Sequence, residues 1–314
     1  MKAFLVVNPR SANGATGRHF DDIAQGVRSA VGDHGHAFTE RPMHAAELTR
    51  KALGDGHDLV IAVGGDGTIN EVVNGFFHEA RPGEAHRPLG DGAALAIVPR
   101  GTGGDLRRTL GLDGALARSC ARLKGERRRI DIGRVDYTLA RGGTASRYFV
   151  NVADVGVGAK IVEIANRSSK ALGGKASFML ASLRGLVGWH DVHVRVSFDG
   201  APHEELALTT LAIANGRYFG GGMMIAPEAR LDDGLFHVTL WKGFGISDFV
   251  FKSGSMYDGS HVKLKGTSTR SARTIVIEPG AGATGPIGIE ADGEQLGQLP
   301  ATFTLLPGAL HLVS

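Results

Sequence analysis

Short apolar runs, too brief for helices and too continuous for half-exposed strands, set the frame of this chain. Ala3–Val7, Leu59–Val63 and Ala94–Val98 contain no charged residue. Strands read this way when helices cover both faces of a parallel sheet and neither face meets water. Between the runs the apolar period lengthens. His19–Val31 carries Ile23, Val27 and Ala30 at helical spacing, and His44–Leu53 reads as a helix ended by Gly54. Ile69, Val72, Val73, Phe76 and Phe77 fall at i, i+3, i+4, i+7 and i+8, one face of a helix. Phe38 and Thr39 suit a further short strand, and Leu106–Leu110 and Ala115–Leu123 suit further helices. Strand and helix in alternation predict a parallel α/β sheet.

The pattern changes after the basic patch Glu126–Arg129. Ile130, Ile132, Val135, Tyr137 and Leu139 mark a long strand with a glycine break at Gly133. Gly142-Gly143 turns the chain into Arg147–Val155, and Asp199-Gly200 joins Val192–Phe198 to Glu205–Ala214. Leu235–Trp241, Arg273–Glu278 and Ile287–Ala291 are further strands, so this half reads as an antiparallel β-sandwich. A helical insertion around Lys170–Val187 interrupts it. The expected division is a nucleotide-binding α/β domain over 1–128, with residues from about 306 to 314 able to return to it, and a β-sandwich over 129–305.

Composition narrows the class. Lysine and arginine exceed the acids by 35 − 32 = +3, too little to signal a nucleic-acid partner. The single cysteine, Cys120, excludes an internal disulfide and suits a reducing cytoplasm. The apolar runs fall far short of the ~18 residues that span a bilayer. Any membrane contact is therefore expected at the surface.

The chemistry concentrates in three glycine-rich loops, each leaving the carboxyl end of a predicted parallel strand. That edge is where open α/β sheets bind ligands. Gly64-Gly65-Asp66-Gly67-Thr68-Ile69-Asn70-Glu71 joins a buried strand to an amphipathic helix. Bare amides at such a helix start suit phosphate, and Thr68 with Glu71 predicts a capping box. Asp66 beside a phosphate makes sense if it holds Mg²⁺ or polarises a hydroxyl. Asn8–Gly14 and Pro99–Asp105 repeat the geometry. Asp292-Gly293 is a hairpin-turn pair that also brings Asp292 and Glu294 close together.

These segments together resemble the diacylglycerol kinase catalytic-domain family, which includes bacterial lipid kinases and sphingosine and ceramide kinases. The resemblance rests on NPRSANG, FTERPMHA, GGDGT with its downstream NE, PRGTGGDL, IAPEARLDDG and IEADGE, and it covers nearly the whole chain. It implies a Rossmann-like nucleotide domain followed by a β-sandwich, the NAD kinase/diacylglycerol kinase-like fold. It implies ATP contacts at Asn8, Pro9, Arg10, Ser11, Thr39, Gly64, Gly65, Asp66, Gly67, Thr68, Asn70, Glu71, Gly101 and Thr102. It implies catalytic carboxylates at Asp292 and Glu294, with either Glu294 or Asp66 as general base and a catalytic Mg²⁺ shared by Asp66 and Asp292. A structural Mg²⁺ would take the Asp233 carboxylate and the carbonyls of Arg230 and Leu235. The implied activity is ATP- and Mg²⁺-dependent phosphorylation of a lipid hydroxyl, with diacylglycerol first. The setting would be cytoplasmic, at the inner membrane surface, and a homodimer is compatible.

Two other classes stay open at this point: a kinase for NAD or another soluble alcohol, and a catalytically silent nucleotide or lipid binder. Only Gly104, where the family has asparagine, favours the silent binder. Gly156-Val157-Gly158 lacks a third glycine and reads as a structural turn. His190 and His193 read as solvated histidines. The Ser168–Trp189 insertion, with Phe178, Leu180, Val187 and Trp189 among Lys170, Lys175 and Arg184, is weighed between a packed helix and a membrane-surface helix.

Overall fold

The computed structural model describes residues 1–101, 103–167 and 174–313, with backbone alone for 174–177. In chain order the first half is β1 (Ala3–Val7), α1 (Ala15–Arg18), α2 (Phe20–Val31), β2 (His34–Phe38), α3 (His44–Gly54), β3 (Leu59–Gly64), α4 (Asp66–Gly75), β4 (Ala94–Pro99), α5 (Asp105–Thr109) and α6 (Leu116–Arg122). The strands lie in the order β2-β1-β3-β4, all parallel. Side-chain alternation divides them between two cores. Val6, Val60, Ala62 and Leu95 pack under α3 and α4, with Ile69, Val72 and Val73. Leu5, Val7, Ile61 and Val63 face the other way, against Ile23 and Val27 of α2 and Cys120 and Leu123. The continuous apolar runs are thus the double-sided burial that a parallel sheet requires.

The second half runs β5 (Arg127–Thr138), β6 (Thr144–Phe149), β7 (Val152–Gly156), α7 (Val157–Arg167), α8 (Gly174–Leu186), β8 (Val192–Phe198), β9 (Glu204–Leu208), β10 (Thr210–Ala214), β11 (Tyr218–Phe219) and β12 (Met223–Met224). It continues through β13 (Phe236–Trp241), α9 (Ile246–Asp258), β14 (Thr267–Ala272), β15 (Thr274–Pro279), β16 (Gly288–Ala291) and β17 (Glu294–Val313). β17 is the spine. It pairs antiparallel with β16, β15 and β5, and its end runs parallel to β4 through His311 and Leu312. The two halves therefore share one hydrogen-bonded sheet. Phe149 stacks on Phe236 with ring centres 5.6 Å apart and meets Phe303 edge-on at 6.5 Å, at the heart of the second core.

Several local expectations change. Arg127–Arg129 opens β5, paired to His311–Val313, and is not a patch ahead of it. Gly156-Val157-Gly158 is a strand-to-helix junction, because α7 begins at once. Of the insertion, α8 packs against α7, a helix the sequence did not suggest; Ala181 and Leu186 are buried, while Leu180 and Val187 stay exposed. Residues 168–173, and with them Lys170 and Leu172, lie outside the described residues. Gly133 does not break β5. It lies opposite Phe149, whose ring occupies the space a Cβ would need.

Gly133→Ala should then destabilise the fold by roughly 1–3 kcal/mol through overpacking. Urea unfolding would show a lower midpoint, whereas a conformational role alone would give a gain from a less flexible unfolded chain.

Candidate functional site

The three loops converge at the carboxyl edge of β1, β3 and β4. Asn8 donates its side-chain amide to Thr68 Oγ1 at 3.0 Å, which ties the first loop to the second. Asn8 Oδ1 accepts from the Arg10 N–H at 3.0 Å, and Ser11 Oγ lies 2.6 Å from Thr16 Oγ1. Pro9 O accepts from Gly17 N–H at 3.1 Å, and Thr39 N–H donates to Val7 O at 2.8 Å. Gly65 and Gly101 touch backbone to backbone: a Cβ on Gly101 would stand 2.7 Å from the Gly65 Cα. Any side chain there would push the second and third loops apart.

Asp66 closes the arrangement. Its carboxylate accepts N–H bonds from Gly104 (2.7 Å), Asp105 (3.1 Å) and Leu106 (3.4 Å), so it seats the third loop and the start of α5. Gly104 has φ +70°. Asparagine is the other residue that tolerates this left-handed region, so the departure from the family pattern preserves the backbone. Thr102 lies outside the described residues.

The expected capping box does not form. Helix α4 begins at Asp66 with Gly65 as N-cap, which has no side chain to cap it, so Thr68 already lies inside the first turn and accepts from Asn8. Glu71 Oε2 instead accepts the Ala45 N–H at 3.1 Å, joining α4 to the first turn of α3. Glu71 is thereby a strut between helices.

Across the cleft, β16 turns into β17 through Asp292 (φ +49°) and Gly293 (φ +83°), the two left-handed residues of a tight hairpin. Asp292 Oδ2 accepts from Asn70 Nδ2 (2.7 Å) and Val150 N (2.9 Å). Its Oδ1 accepts from Asn151 N (2.9 Å) and Val152 N (3.2 Å). Burial pushes this carboxyl above its ordinary value, while those four donors pull it down. All four lone-pair directions are spent on N–H groups, which makes Asp292 a strut that aims the hairpin. Asp66 keeps unused acceptor capacity. Glu294, just past the turn, is exposed, and its Oε1 lies 3.8 Å from where a Cβ on Gly67 would be. The hairpin thus carries Glu294 over the amino end of α4.

The loop ahead of β13 carries Arg230, Asp233 and Leu235, and Arg230 pairs with Asp232 at 3.2 Å. Asp233 Oδ1 accepts from Leu235 N (3.1 Å), and Oδ2 faces His237 Nε2 at 2.9 Å. Neighbouring Asp131 receives N–H bonds from Gly234 and Gly308, both 2.7 Å. Among the described residues no group of three acid, histidine or cysteine side chains is placed to hold a metal by itself.

Beside the hairpin opens an apolar pocket between α7, α8 and α9. Val157, Ile161, Leu186, Phe249 and Met256 are among its walls, and its space, mouth included, is about 570 Å³. Asp154 and Glu290 also line it. Burial pushes Asp154 up to about 7 and Glu290 well above the usual glutamate range, with Asp154 adding to the latter. Sequence reasoning missed both acids, since each sits singly in an apolar strand. It placed Asn70 against nucleotide, but Asn70 bridges to Asp292 and to Tyr148 O (3.1 Å).

Asn70→Asp would set a second carboxylate against Asp292 in place of a donor. The defect should be on the order of 3 kcal/mol at neutral pH. It should shrink on acidification, because protonating either acid restores a donor and removes the repulsion. Urea midpoints at several pH values would show the gap to the parent protein widening as pH rises.

A family model for the diacylglycerol kinase catalytic domain matches residues 2–135, and one for the YegS C-terminal NAD kinase β-sandwich-like domain matches 151–314. The chain is 26% identical to the diacylglycerol kinase of Bacillus subtilis over 99% of this chain and 96% of that one. It is 31% identical to the probable YegS-like lipid kinase of Pseudomonas aeruginosa, over 85% of this chain and 80% of that one. Among solved structures, a diacylglycerol kinase described as putative, from Bacillus anthracis, superposes with a TM-score of 0.74 at 24% identity, covering 99% and 96% of the two chains. Yeast NADH kinase superposes at 0.51 with 10% identity, covering 99% of this chain and 82% of that one, a likeness of fold. With both halves of the chain matched and relatives named as lipid kinases aligned along most of its length, this chain belongs to the diacylglycerol kinase catalytic-domain family, a family of lipid kinases.

Proposed function

We propose that the protein transfers the γ-phosphate of ATP to a lipid hydroxyl in a Mg²⁺-dependent reaction, with diacylglycerol as acceptor and phosphatidic acid as product. The observation that carries this reading is Glu294, aimed across the amino end of α4 by the Asp292-Gly293 turn, with Glu290 of the same hairpin lining an apolar pocket. Phosphate at the α4 start would meet the amides around Gly65–Thr68 and the positive end of the helix. The acceptor oxygen would attack the γ-phosphorus as the bond to the bridging oxygen breaks and ADP leaves. Glu294 would take the hydroxyl proton as that bond forms. Asp66 has the acceptor capacity to join phosphate oxygens around a Mg²⁺, which when bound supplies charge neutralisation. Asp292 acts as a positioning residue. Asp233 with the carbonyls of Arg230 and Leu235 offers hard oxygen donors that suit a second, structural Mg²⁺.

Residues 1–128 would serve as the nucleotide-binding domain and 129–305 as the lipid-binding domain. The setting we infer is the cytoplasmic face of a membrane. No described helix is long and apolar enough to cross one. Two helices that wall the pocket do present outward apolar side chains, Val187 (63% exposed) just past α8 and Val250 (54%) and Phe251 (86%) on α9, beside Arg184 and Lys252. Such a face suits an anionic surface from which a lipid would be drawn.

Transfer of labelled γ-phosphate to vesicles, with products separated by chromatography, tests the reading. Label in phosphatidic acid is the expected outcome, and label only in a soluble acceptor such as NAD would overturn it. Glu294→Gln should lower kcat by roughly 10²–10⁴ with little change in the melting temperature. Phe251→Asp should weaken sedimentation with anionic vesicles about tenfold while sparing ATP binding.

A further inference from the structure

The joint at Asp292 has a second tier, on the far side of Asn70. Asn70 spends both hydrogens of its amide nitrogen on acceptors, Asp292 Oδ2 at 2.7 Å and Tyr148 O at 3.1 Å. Its oxygen accepts from Arg147 Nη2 at 3.1 Å. Asn74 Nδ2 also reaches that oxygen, at 3.3 Å, but its two hydrogens have closer acceptors in Asn70 O (2.9 Å) and Tyr148 O (2.8 Å). Arg147 is therefore the principal donor to Asn70 Oδ1. Asn70 is 1% exposed, so that oxygen has little water to fall back on.

Arg147 stands on β6, which among the described strands pairs with β5 alone. The free edge of β6 is met by α4, where Asn70 and Asn74 take up the backbone of Tyr148. Arg147 lies opposite Val135, a residue of the second core, yet its head reaches a helix that packs in the first. It is half-buried, and its Nε is buried without a partner. Among the described residues it makes no ion pair, and its one hydrogen bond is the one to Asn70. A guanidinium can only donate and a carboxylate can only accept. Cation, amide and anion thus form a line in which each bond polarises the next.

Building on the lipid-kinase reading, we propose that Arg147 is a positioning residue for phosphoryl transfer: it holds Asn70 as a donor to Asp292, and so keeps the turn that carries Glu294 tied to α4. Without Arg147 the buried oxygen of Asn70 keeps only the long bond from Asn74, and the amide relaxes at the expense of its bond to Asp292. Asp292 still holds its three main-chain N–H groups, so the hairpin remains but loses its tie to the helix. The loss is then one of aim more than of stability.

Transfer of labelled γ-phosphate to the acceptor that the parent protein uses, diacylglycerol vesicles first, tests this. Arg147→Met keeps the stem and removes the donors. It should lower kcat about tenfold or more and leave the KM for ATP within about twofold. Arg147→Lys, which keeps a charged donor, should recover most of the loss. In an Asn70→Ala background, Arg147→Met should cost less than about a further twofold, because the link it works through is gone. Direct contact of Arg147 with phosphate would give the same loss with or without Asn70, and a raised KM for ATP. A merely structural role would lower the melting temperature and leave kcat per folded enzyme unchanged. Either result overturns the proposal. Should Asn70→Ala not fold, the separation of kcat from KM and the rescue by lysine decide. A parent protein that turns over, with Arg147→Met unimpaired, sinks this proposal and leaves the kinase reading standing; a parent that labels no acceptor removes both.

Discussion

Much of this architecture depends on one half-buried acceptor, the carboxylate of Asp292. It receives a side-chain N–H from Asn70 on the first helix behind the glycine loop and three consecutive main-chain N–H groups from Val150–Val152. Those three amides lie where β6 ends and β7 begins, a break in the strand that would otherwise leave them unpaired. The same carboxylate thus mends an interruption in one half and grips a helix of the other. Because Asp292 is also the first residue of a left-handed turn, the grip fixes where the next carboxylate can point. The asparagines around it extend the joint. Asn74 donates to Tyr148 O at 2.8 Å and accepts its N–H at 3.0 Å, and Asn215 reaches Asp131 O and Val150 O, both at 2.9 Å.

The three loops form a comparable device within the nucleotide half. A hydroxyl–amide contact links the first to the second, glycine-on-glycine packing links the second to the third, and Asp66 holds the third at the head of α5. Beyond the bonds inside the first loop, each loop is held by a neighbour. The edge formed by the three loops is therefore a property of the set, and the two glycines at its closest approach are required by contact with each other.

How far the sequence disclosed this depended on range. Leu59–Val63 and Ala94–Val98 were legible because burial on both faces writes itself into consecutive residues. Asp199-Gly200, Gly142-Gly143 and Asp292-Gly293 were legible because left-handed turns demand those residue types. The capping box at Thr68 and Glu71 was misread because local spacing matched while distant partners, Asn8 and Ala45, outcompeted it. Helices α7 and α9 were missed: Val157–Arg167 followed directly on a strand, and Ile246–Asp258 mixes apolar and polar residues on its exposed side. Residues 294–313 gave no hint of one long strand, since glycine and proline interrupt any alternation and two of its partners, β5 and β4, lie more than a hundred positions away. Asp154 and Glu290 stood invisible because nothing local says that two isolated acids become neighbours.

That long strand has a mechanical meaning. β17 begins at Glu294 and ends hydrogen-bonded to β4, the strand that feeds the third glycine loop. The hairpin that carries Glu294 and the strand that feeds the third loop are joined by one continuous ribbon, which meets β4 at its first residues, so the two halves are not connected by a flexible linker alone. Opening must come from bending the ribbon. Its pairing with β5 slips in register at Gln298/Ala301 and at Leu306/Leu310. Those two irregularities are the compliant points of an otherwise stiff beam. They divide it into segments whose flexing would raise and lower the Asp292-Gly293 turn over the loops while every other rung of the sheet stays closed.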